Sequence, residues 1–124
     1  MKKILFVAID KMYIHSLSLR LRQYGNKKEF VFLSANTTED VKSRCVENPD
    51  ITTVILVGYL IDIPFDEPVP NTVPLVGEIR GMLGSGVSIY TASPLREFNV
   101  ALMRAGCDET IDLGRISERL ATLL

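Results

Sequence analysis

Five times along this chain a short, nearly continuous apolar run gives way to a segment whose apolar residues recur at helical spacing, and no hairpin signal joins two apolar runs directly. That alternation constrains the fold more than any other feature. Antiparallel strands need only a tight turn between them, whereas parallel strands need a long crossover, usually helical. Repeated strand-helix cycles therefore predict a parallel sheet with helices on both faces. For five strands the expected α/β architecture is flavodoxin-like, with strand order 2-1-3-4-5.

The cycles are read as follows. Lys3 to Val7 is a strand buried on both faces, followed by a helix carrying Ile14, Leu17, Leu21 and Tyr24, which Gly25 stops. Phe30 to Leu33 is the second strand, and Asn36-Thr37-Thr38-Glu39 resembles a capping box opening a helix to about Val46. Thr52 to Gly58 is the third and most apolar strand. Tyr59 to Pro70 holds three prolines among Asp62, Asp66 and Glu67 and reads as an acidic loop. Val76, Ile79 and Leu83 mark the third helix, although Gly77 and Gly81 weaken it. Val87 to Thr91 is the fourth strand. Ser93-Pro94 reads as N-cap and first position of a helix with Leu95, Phe98, Leu102 and Met103 on its apolar face. A short strand at Thr110-Ile111 precedes a last helix with Ile116, Leu120, Leu123 and Leu124.

Composition bounds the function. At 124 residues one domain spanning 1–124 is expected. With 47% hydrophobic residues and a net charge of -1, the chain is neither disordered nor basic enough for bulk nucleic-acid binding. No apolar run approaches the roughly 18 to 20 residues that span a bilayer, and no secretory signal is visible, so a cytoplasmic location is expected. Cys45 and Cys107 read as free thiols, and His15, the only histidine, as a solvated residue. Three or four ligands for zinc are not available. No phosphate-cradling glycine motif occurs, so no cofactor is expected.

In such a fold ligands bind beyond the carboxyl ends of the strands. Those positions are Ala8, Ile9 and Asp10, then Val57 to Asp62, Thr91 to Ser93, and Asp112 to Gly114. There, and along its full length, the chain resembles the receiver domain of two-component response regulators, the CheY-like family. Ile4-Leu5-Phe6-Val7, Glu78-Ile79-Arg80, Ile89-Tyr90-Thr91-Ala92 and Ala105-Gly106-Cys107-Asp108 carry the resemblance.

The resemblance implies an acceptor aspartate ending the third strand, Mg2+ held by an acidic pair after the first, a Thr or Ser after the fourth and a Lys after the fifth. Such chemistry needs oxygen ligands for a hard cation and positive charge against the phosphoryl group. Here the acidic pair falls on Ala8 and Ile9, with Asp10 one place beyond. The acceptor falls on Val57 or Gly58, and the Lys on Leu113. Only Thr91 matches. An alternative alignment makes Asp62 the acceptor, through a third strand that would run past Gly58.

The expectation is a pseudo-receiver: a non-enzymatic signalling module that binds protein and takes no phosphoryl group. The resemblance places its partner surface, including a homodimer contact, on the fourth helix, fifth strand and fifth helix, with Arg96, Asn99, Arg104, Asp112, Arg115 and Arg119. The alternatives are an atypical receiver phosphorylated on Asp62, and a small-molecule sensor or enzyme using Asp10, Asp62 and Thr91. Charge is uneven: residues 1–48 carry nine basic and five acidic side chains, residues 49–124 five and ten. Part of that acidity lies in the Tyr59 to Pro70 loop, which is expected to cover the degenerate pocket through Phe65 or to meet a partner.

Overall fold

The computed structural model describes residues 2–8, 15–17, 19–20, 30–57, 72–93 and 95–123. In chain order these form β1 (Lys2–Ala8), α1 (helical at residues 15–17 and 19–20), β2 (Phe30–Ala35), α2 (Thr38–Glu47), β3 (Thr53–Val57), α3 (Val73–Leu83) and β4 (Ser88–Thr91). Then come α4 (Arg96–Ala105), β5 (Glu109–Thr110), a 3-10 turn (Leu113–Arg115) and α5 (Ile116–Leu123). The strands make one all-parallel sheet in the order β2-β1-β3-β4-β5 that the alternation predicts.

Side chains of a strand alternate between sheet faces, so a strand covered on both sides must be apolar at every position. β1 meets that requirement. Leu5 and Val7 join an apolar cluster with Val41 and Cys45 of α2, Leu75, Val76 and Ile79 of α3 and Leu102 of α4. Ile4, Phe6 and Ala8 join the cluster on the opposite face, with Leu17 of α1 and Ile116 and Leu120 of α5. β3 divides the same way: Val54 and Leu56 on the first face, Ile55 on the second.

Two helix starts and one helix face differ from the sequence reading. α2 is capped by Thr37, whose hydroxyl accepts from the Asp40 N–H at 3.0 Å, one residue later than the Asn36 box predicts. α4 begins at Arg96 rather than at Ser93-Pro94: the Ser93 hydroxyl accepts from Leu95 N–H and closes a turn before the helix. Pro94 lies outside the described residues. On α4, Phe98 and Leu102 are buried, whereas Leu95 and Met103 face solvent. His15 is exposed, and both cysteines are free and buried.

The amino-terminal edge of the sheet is tied by polar staples. Arg80 of α3 donates to the Val87 and Gly106 carbonyls and to Asp108 Oδ2, which also accepts from Ile89 N–H at 2.7 Å. Lys3 bridges to Asn48 and Asp50. Chemistry-bearing positions are left at the opposite, carboxyl edge.

Candidate functional site at the carboxyl edge of the sheet

Parallel pairing brings the strand ends together. Ala8 of β1 pairs with Val57 of β3, Leu56 with Thr91 of β4, and Thr91 with Thr110 of β5. Ala8 is buried in the cluster with Ile55, Ala92 and Ile111, and Val57 packs against that cluster. The edge at β1 and β3 is thus an extension of the apolar core. Leu113 opens the 3-10 turn after β5, which Asp112 caps by accepting from the Gly114 N–H at 2.9 Å. Ile9, Asp10, Gly58 and Asp62, and the whole Tyr59 to Pro70 loop, lie outside the described residues.

Thr91 is fully buried, and its hydroxyl donates to Asn99 Oδ1 at 2.7 Å. The same oxygen accepts from Ser93 N–H at 2.9 Å, and Asn99 Nδ2 donates back to the Ser93 carbonyl at 2.9 Å. A hard divalent cation requires several oxygen ligands. Ala8 and Val57 offer none from their side chains, and the Thr91 hydroxyl is engaged, so these described positions do not fit Mg2+. Among the described residues no group of three or more His, Cys, Asp or Glu is placed to hold a metal.

No protein-family model matches the sequence, and no curated protein matches it as a relative. Solved structures do. A two-component response regulator from Clostridium difficile superposes with a TM-score of 0.74 at 17% identity, over 99% of this chain and 95% of its own. A response regulator receiver protein from Pseudomonas putida gives 0.69 at 20% identity, over 98% and 96%. The fold is that of a response-regulator receiver domain. A pilus assembly-related protein from Burkholderia pseudomallei shares it, with a TM-score of 0.65 at 11% identity over 98% and 88%.

Within this receiver fold the six residues assigned to a partner surface separate into three groups. Arg96 and Arg104 are exposed on α4. Asp112, Arg115 and Arg119 line one open groove of about 420 Å³ between β5 and α5, together with Glu109, Glu118 and Thr122. Arg119 Nη2 bonds both Glu109 carboxylate oxygens at 2.7 Å. None of the ion pairs among the described residues involves Arg96, Arg104 or Arg115. Asn99 is the correction: only partly exposed, it spends its side chain on Thr91 and Ser93 rather than on a surface.

Sequence reasoning missed the apolar part of this surface. Val100 and Met103 are 42% and 38% exposed, at i+4 and i+7 from Arg96 and therefore on its face of the helix. Helical phase holds the signal, because Phe98 and Leu102 define a buried stripe that excludes Val100 and leaves Met103 at its margin. Cys107, by contrast, is a core residue: burial pushes its thiol up to about 11, the neighbouring Asp108 charge adds to this, and Arg80 opposes it. Such a thiol is not a nucleophile near neutral pH. No helix among the described residues is long and apolar enough to cross a membrane.

Proposed function

We propose that this chain is a receiver-like protein-interaction module that takes no phosphoryl group and signals by docking through α4, β5 and α5. One observation supports the reading: Ala8 and Val57, paired across the ends of β1 and β3, belong to or pack against an apolar cluster, where the receiver resemblance implies carboxylates for phosphoryl transfer. An apolar pair there neither binds a cation nor accepts phosphate. The docking half rests on Val100 and Met103 set between Arg96 and Arg104, and on the groove holding Arg115. Apolar anchors rimmed by arginines make a suitable contact surface, and a second copy of the chain is the simplest occupant.

Amide NMR spectra recorded across protein concentrations, then with Mg2+ and beryllofluoride, test both halves. Concentration-dependent shifts at Val100, Met103 and Arg115 are expected, and no change on adding the phosphoryl mimic. Shifts at Thr91 and Asp62 with beryllofluoride would overturn the reading in favour of an atypical receiver. Spectra independent of concentration would remove the homodimer.

A further inference from the structure

We propose that the Asn99 carboxamide is a conformational lock, which ties the buried end of β4 to the first turns of α4 and holds the docking face in one arrangement. The inference rests on reading α4 as a docking face and adds how that face is held.

Asn99 reaches back from α4 across the turn leaving β4. Its oxygen accepts from the Thr91 hydroxyl and the Ser93 N–H, and its nitrogen donates to the Ser93 carbonyl. Thr91 and Ser93 are almost wholly buried, so these groups depend on protein partners. A carboxamide serves them all, because its acceptor and donor sit on separate atoms. Aspartate would set a carboxylate against the Ser93 carbonyl, and leucine would satisfy none of them.

The bonds matter for α4 because its N-cap residue makes no side-chain cap bond. Leu95 occupies that position, and its apolar side chain can accept no bond from the N–H groups of the first turn. The Asn99 bonds, with the Ser93 hydroxyl accepting from Leu95 N–H, close the connection instead. Leu95, Arg96 and Val100 follow directly, and all three are exposed.

The test compares wild type with Asn99→Ala, Thr91→Val and Thr91→Ser by amide hydrogen exchange and 15N relaxation dispersion. Wild type is expected to show flat dispersion from Ser93 to Met103. In Asn99→Ala, Ser93 amide protection should fall about tenfold, the equivalent of about 1.4 kcal/mol for a lost bond. Microsecond-to-millisecond exchange should spread from Leu95 to Val100. Thr91→Val, nearly the same shape, should give a weaker version of that spread, and Thr91→Ser should restore the flat profile. Changes confined to Ser93 and position 99, or a wild-type turn already in exchange, would overturn the lock. The readout is motion within one chain: if shifts with concentration persist while no spread occurs, the lock fails and the docking reading stands. A spread with no concentration dependence rejects the homodimer and leaves the lock.

Discussion

Asp108 takes two hydrogen bonds on one oxygen, from Arg80 Nη2 at 2.9 Å and from Ile89 N–H at 2.7 Å, and so joins the end of α3 to the edge of β4. Partial burial pushes its carboxyl up, but the Ile89 bond and the Arg80 guanidinium outweigh this and hold it below the usual carboxylate range. A depressed folded-state pKa stabilises above the unfolded value of about 3.9, and the benefit is lost as pH falls through the folded value. Because the pair is nearly half exposed, the effect is modest. Asp108→Asn is expected to cost about 1 kcal/mol in urea unfolding at pH 7 and less at pH 3, where the wild-type carboxyl has begun to protonate. An equal cost at both values would show that charge plays no part. At this scale legibility divides by range. Ala8, Val57 and Thr91 follow from their order along strands, whereas the role of Asn99 depends on a turn bringing residues 91, 93 and 99 together, which no periodicity reveals.

Element boundaries follow from competition among local hydrogen-bond acceptors. Asn36 and Thr37 both suit a cap, and the backbone selects Thr37, extended at φ -128° and ψ 160° with its hydroxyl on Asp40 N–H. Ser93 carries the cap chemistry the sequence suggests but spends it on a turn, so α4 starts later. Gly77 and Gly81 lower the intrinsic propensity of α3, yet the helix runs unbroken through Leu83 on the packing of Leu75, Val76 and Ile79. A Cβ at Gly77 or Gly81 would meet nothing within 4 Å, and neither has positive φ. Gly77→Ala and Gly81→Ala are each expected to stabilise the protein by about 0.5 to 1 kcal/mol, read as a rise in Tm. Gly106→Ala should do the reverse, since φ there is +121° and Val76 Cγ1 lies 3.5 Å from the new methyl. A loss of stability at 77 or 81 would contradict this account of α3.

At the scale of the molecule, topology was legible because it rests on a redundant signal: every central strand must be apolar on both faces, and every crossover must be amphipathic. Neighbouring residues of β1 feed opposite clusters, so one short run, Ile4 to Ala8, specifies both layers. Function was less legible, because the same apolar rule that writes the strands also fills their carboxyl ends, where only an oxygen-bearing side chain would have announced chemistry. Ala8 and Val57 belong to the core in sequence and in space alike, and that continuity underlies the view of this receiver fold as a docking surface without phosphoryl transfer. Incubation with Mg2+ and a small-molecule phosphodonor such as phosphoramidate, followed by intact-mass measurement, tests that view most directly. The mass is expected to stay unchanged. A gain of one hydroxylamine-labile phosphoryl group mapping to Asp62 or Asp10 would contradict it.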